Sequence, residues 1–170
     1  MPGCYANIVY RYNSRMMGSN DNWQSLYVDL RKYISLKPNS SGKNILALWG
    51  YYWTTLSKGT PYLDLPSIGW DLYNRSGRGI QQNRYRGQEM IYLESEYRRD
   101  ITRNGLLGFV LFANANSVTE GQGRGFRYIN PAGGAGLRIK FNKGSATNIA
   151  FDYGMSKYHH AFTLALGEAF

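Results

Sequence analysis

Thirteen residues, RSGRGIQQNRYRG from Arg75 to Gly87, carry four arginines and three glycines and no carboxylate. Guanidinium groups at that density bind an anion, and glycines let the backbone turn tightly enough to present them. The anion can be a nucleic acid, a lipid, a phosphate cofactor or another part of the same protein. In the segment that follows, MIYLESEYRRDI, Glu94 and Glu96 stand two residues apart. Paired carboxylates cleave glycosides, but neighbours on one strand do not flank a bond from opposite sides. His159 and His160 are metal-ligating types, yet there is no third histidine and Cys4 is the single cysteine, so an exposed pair is the better reading. Two adjacent histidines also leave a Ser/His/Asp triad little to build on. GQGRGF has a Gly-x-Gly spacing without the strand-to-helix unit of a dinucleotide site. RYRGQEMIY mixes Arg and Tyr as a single-strand RNA platform does, but no RNA-binding module accompanies it and acids on the neighbouring strand balance the bases. These residues predict no enzyme, no cofactor, no metal site and no nucleic-acid partner.

The elements that must position them come from alternation. The chain has 170 residues, a formal net charge of +9, 15 tyrosines and 4 tryptophans. That length suits one domain, and the charge favours anionic partners or surfaces without specifying a fold. MPGCYANIVYRYN lacks the basic start and apolar block of a signal peptide, and no apolar run approaches the roughly 18 residues of a spanning helix. Eight segments read as strands of period two: YANIVYRYN, WQSLYVDLRKYISL, NILALWGYYWTTL, MIYLESEYRRDI, LLGFVLFANANSV, GLRIKFNK, TNIAFDYGM and HAFTLALGEAF, the third being aromatic on both faces and so undecided in orientation. One face collects Leu26, Leu93, Leu111, Ile139, Phe151 and Leu164, and the other Arg31, Glu94, Glu96, Asn114, Arg138, Lys140 and Asp152. Short turns at KPNSSGK, RDITRNG and NKGSA alternate with longer connections at SRMMGSND, residues 58–88 and residues 119–133, the short KYH link excepted. Ten-residue strands, polar on one face and apolar with aromatic ends on the other, favour an all-β transmembrane antiparallel barrel with a watery lumen over a soluble sandwich.

A resemblance gathers these segments. GWDLYNRSGRGIQQNRYRG, YLESEYR, NGLLGFVLFANANS, GAGLRIKFNK, TNIAFDYG and the terminal LGEAF, in that order, resemble the C-terminal half of the BamA/TamA superfamily, the bacterial surface-antigen barrels, in short Bacteroidetes-type members. The resemblance spans essentially the whole chain. It implies the last eight strands of a sixteen-stranded barrel, with residues 58–88 an external loop folded into the lumen and no second domain. It implies a place in the outer membrane of a Gram-negative bacterium, with outer-membrane lipid, the barrel-insertion machinery and client proteins or lipids as partners. The implied function is outer-membrane protein assembly or translocation, the alternative a porin-like or surface-antigen barrel that translocates nothing. The loop-tip motif falls on Arg78, Gly79 and Ile80, isoleucine standing where Tyr or Phe is usual. Its inner-wall partners fall on Glu96 first and Glu94 second, and on Asn114, where the family has an aspartate and this chain offers only a neutral hydrogen bond. The C-terminal insertion signal falls on Phe162, Leu164, Leu166 and Phe170, with Glu168 breaking its pattern.

Overall fold

β-Branched and aromatic residues alternating with polar ones hold the backbone extended, because each pleated face then packs one kind of neighbour. In the computed structural model, which describes residues 3–37, 43–57, 59–119, 125–142 and 147–170, the eight alternating segments are eight strands. They are β1 (Gly3–Asn13), β2 (Trp23–Ser35), β3 (Asn44–Thr55), β4 (Glu89–Asp100), β5 (Leu107–Val118), β6 (Asn130–Asn142), β7 (Thr147–Ser156) and β8 (His160–Leu166). Two single helical turns, Arg15–Met17 and Tyr62–Asp64, lie in the connections. All strands join one antiparallel sheet in chain order. The turns at 38–42 and 143–146 and most of the glycine motif at 121–126 lie outside the described residues.

Register sorts the side chains. Trp49 pairs with Glu94 and Glu94 with Asn114, while Tyr51 pairs with Tyr92 and Tyr92 with Asn116, so these stand in rows on one face. The same face carries Arg31, Glu96, Arg138 and Asp152. It is the inner face of a curled sheet. Three strand spacings in a flat sheet are ~14 Å, yet a single guanidinium, that of Arg78, touches both Glu94 on β4 and Asp152 on β7. The described part of the connection from β3 to β4, residues 59–88, lies across this face. Beneath it Tyr27, Trp49, Tyr51, Met90, Tyr92, Ile68 and Ile80 form the buried core. Among the described residues nothing covers the opposite face, with Ile8, Leu30, Leu93, Leu111, Leu137, Phe151 and Leu164, and Leu93 is 60% exposed.

The sheet is open, and this overturns the barrel. β1 pairs with β2 alone and β8 with β7 alone, so the eight strands are not closed into a transmembrane barrel like those of the BamA/TamA superfamily. The physical consequence reaches every expectation built on closure. A strand edge left in hydrocarbon strands its N–H and C=O groups without partners, which only a closed barrel avoids. The integral outer-membrane barrel for assembly or translocation, and its porin-like or surface-antigen alternative, are therefore set aside. With them go the Gram-negative outer-membrane location and the partners framed on it, namely outer-membrane lipid, the insertion machinery and translocated clients. Residues 58–88 have no lumen to enter; from residue 59 on they cover an inner face. Period-two alternation is shared by barrel strands and open-sheet strands, and it carries no information on whether the first strand meets the last.

Candidate functional site

The loop tip is where the charged residues converge. Two glycines at positive φ, Gly77 at 78° and Gly79 at 84°, fold the backbone around Arg78. Such dihedrals suit glycine because a Cβ collides with the backbone there. At Gly79 there is a second requirement. A Cβ on it would lie 2.6 Å from the Met155 amide nitrogen, and one on Gly154 would lie 2.6 Å from the Gly79 nitrogen. Loop and β7 thus touch backbone to backbone.

That approach delivers Arg78 to the sheet. Its Nε donates to Glu94 Oε1 at 3.0 Å and its Nη1 to Asp152 Oδ2 at 2.9 Å. Its Nη2 donates to both Glu94 and Glu96. The guanidinium lies over the Phe112 ring, 3.9 Å from the centroid, and the Asn114 amide donates to the Arg78 carbonyl at 3.0 Å. Tyr92 holds the tip from below, accepting from the Gly77 N–H at 3.0 Å and donating its hydroxyl proton to Glu94. The structure therefore brings Arg78, Glu94, Glu96 and Asn114 together. Ile80 joins the buried core beside Ile68.

Further ion pairs extend the cluster. Arg98 donates to Glu96 and, through Nη2 at 2.7 Å, to the Phe170 carbonyl. Arg138 donates to Asp152 at 2.5 Å and to Glu168 at 2.7 Å, and the Asn148 amide donates to the other Glu168 oxygen at 2.7 Å. Burial works against the Arg78 charge, but Glu94 and Glu96 outweigh it and hold its pKa above the ordinary value. Burial raises the Glu94 carboxyl against the pull of Arg78. Glu168 resists its own burial, and the charges of Arg98 and Arg138 hold it below its ordinary value.

Phe162, Leu164, Leu166 and Phe170 do not form one group. The first three point outward from β8, Phe162 being 85% exposed. Phe170 is buried on the inner face, its ring 5.1 Å from that of Trp49. Gly167, at φ 94°, turns the chain inward after β8.

Alternation placed Asp152 on the inner face but assigned it no partner, because β7 is three strands from β4 until the sheet curls. A signal for this contact stands in TNIAFDYGM, where Gly154 interrupts a strand and such a glycine commonly marks close backbone approach. The other loop arginines also have partners in the protein. Arg75 donates to the Glu168 carbonyl, Arg86 to the Tyr62 carbonyl at 2.5 Å, and Arg84 lies 4.8 Å from the Tyr158 ring centroid. His159 sits in the β7–β8 turn, where its carbonyl accepts from the Ser156 N–H at 2.8 Å, and His160 is the first residue of β8, paired with Met155. The arrangement can latch a loop to a sheet. Its carboxylates are engaged by arginines and closed over. Comparison of the chain with protein-family models, curated proteins and solved structures gives no match.

Proposed function

We propose that this chain is a non-catalytic association module that joins a second copy of itself through the outer face of β5 to β8. One observation carries the reading. Among the described side chains, the outer face of these four strands holds no Asp, Glu, Lys or Arg, while Leu111, Leu137, Phe151, Met155, Phe162, Leu164 and Leu166 stand exposed on it. A contiguous apolar patch of that kind marks an interaction surface. The charged outer-face residues of the strands, Lys32, Glu89 and Arg99, all lie on β2 and β4. A protein of net charge +9 repels its own copy, and a charge-free patch lets two copies meet without opposing like charges. In a two-fold contact the same patch serves both partners.

Non-catalysis is supported by the engagement of the acids. Glu94, Glu96 and Asp152 each bind arginine beneath the loop, and the two histidines stand at the β7–β8 connection and the first position of β8, away from these acids in the chain. The test is molar mass by light scattering across a concentration series, for the parent chain and for Leu137→Lys and Leu164→Lys. Association of the parent that either lysine abolishes, with unchanged circular dichroism, is the expected result. A parent that stays monomeric, or that binds phosphatidylcholine vesicles instead of its own copy, overturns the reading.

A further inference from the structure

A cavity of about 280 Å³ lies between the loop and the inner faces of β1 to β3. It is separate from the Arg78 cluster and from the outer face, and neither the latch nor self-association uses it. Its lining combines two kinds of group. Tyr27 and Trp53 form a corner, their planes 82° apart and centroids 5.9 Å apart, and Trp70 adds a half-exposed indole from the loop. Around these rings stand Arg11, Asp64 and Asn74.

The polar groups are notable for what they do not contact. Asp71 nearby is occupied, its carboxylate accepting from the Ser76 N–H at 2.9 Å and the Ser76 hydroxyl at 2.5 Å. Among the described residues, the side chains of Arg11, Asp64 and Asn74 make no hydrogen bond; Arg11 only approaches the Trp23 ring, 6.0 Å from its centroid. Tyr27, in the cavity wall, is 5% exposed, and its hydroxyl has no hydrogen-bond partner. That hydroxyl is closed off from solvent, so what Tyr27 offers the cavity is its ring.

We infer that this cavity binds a neutral saccharide, one pyranose ring with its hydroxyls. A pyranose has an apolar C–H face, which an indole covers, and a rim of hydroxyls that each donate and accept. Arg11 only donates, Asp64 only accepts and Asn74 does both, which matches such a rim. The mixture also discriminates. A quaternary ammonium suits the aromatic corner but meets the Arg11 charge, and a phosphate or carboxylate ligand meets Asp64 and Asp71. Aromatic walls with a few convergent polar groups are the ordinary make-up of small-ligand sites. Trp70 and Asp64 sit on the loop and Arg11 on β1, so the site needs the loop in place.

The experiment is tryptophan fluorescence and saturation-transfer NMR on the full chain. The probes are the methyl glycosides of glucose, galactose, mannose and N-acetylglucosamine, with tetramethylammonium chloride and sodium phosphate as charged controls. At least one glycoside is expected to bind saturably. Trp70→Ala and Asp64→Asn, both at loop positions away from the core, are expected to weaken it by roughly tenfold or more, and Leu137→Lys to leave it unchanged. Saturable binding of none of the glycosides, binding of a charged control in their place, or sugar binding that survives both loop substitutions overturns the assignment. Because Leu137 lies on the outer face, a failure of self-association and a failure of sugar binding are read separately.

Discussion

Arg78 is held by three carboxylates and an aromatic face while almost wholly buried. A cation desolvated to this degree is tolerated only because its donors are filled, and removing it leaves Glu94 and Glu96 buried together without their shared partner. Breaking a buried ion pair typically costs ~3–5 kcal/mol. Arg78→Ala is therefore expected to lower stability by an amount of that order, measured as the shift in the urea midpoint. Arg78→Lys should recover only part of it, since an ammonium cannot span Glu94, Glu96 and Asp152 as a planar fork does. Equal midpoints for the parent and Arg78→Ala would show the latch to be energetically idle. Gly154 tests the same contact by volume. A methyl there meets the Gly79 and Arg78 backbone, which cannot rotate aside, and overpacking of this kind costs about 1–3 kcal/mol. Gly154→Ala should show that loss together with earlier proteolytic cleavage in residues 59–88, whereas cleavage at the parent's rate would place the strain elsewhere.

At the scale of elements, the loop and the segment after β8 close the inner face from two sides. The loop reaches β1 through Tyr73 and Tyr5, β4 and β7 through Arg78, and the final segment through Arg75. The final segment is fastened by Glu168 between Arg138 and Asn148. This gives its docking a pH dependence. Glu168 has a lower pKa folded than the ordinary 4.5, so acid protonates the unfolded chain first. The contribution is present above 4.5 and is lost as pH falls through the folded value. Glu94 has the opposite sign: its pKa is raised on folding, so its contribution is complete below 4.5 and fades as pH rises through its folded value. The stability difference between the parent and Glu168→Gln should therefore shrink as pH drops below 4.5, read from urea midpoints along a pH series. A difference that stays constant or grows in acid would assign the effect to packing rather than charge.

The whole molecule is a sheet with one face closed and one open. Among the described residues, β1 and β8 each pair on one side only, and such edges present unpaired backbone donors and acceptors to solvent. Hydrogen exchange should reflect this, with amides of β4 and β5 protected most and those on the free sides of β1 and β8 least. If the copies meet through the outer face, raising concentration should leave those edge amides fast. Edge amides that become protected as the chain associates would mean that copies join strand to strand instead.

Period-two patterning settles which residues are extended and which side chains of a strand share a face, because successive side chains must point oppositely whatever the strand's neighbours are. Ile8 and Tyr10 fall opposite Val9 and Arg11, and Leu93 opposite Glu94, on that ground alone. For NILALWGYYWTTL, aromatic on both faces, only the fold decided that Trp49 and Tyr51 turn inward. The chemistry of Arg78, Glu94 and Glu96 was also legible, since their types and spacing stand in the chain. Closure was not. Whether a sheet meets its own first strand depends on twist, stagger and strand number acting together, and no single segment encodes that sum; the resemblance of segments supplied a closed barrel where the fold is open. Three other features belonged to tertiary structure for the same reason. Asp152 reaches Arg78 because the sheet curls, Phe170 leaves the outward face of Phe162, Leu164 and Leu166 because Gly167 turns the chain, and the cavity beside Tyr27 exists because loop residues such as Asp64 and Trp70 wall it from the other side. Each joins residues far apart along the chain, and a local pattern has no term for their distance in space.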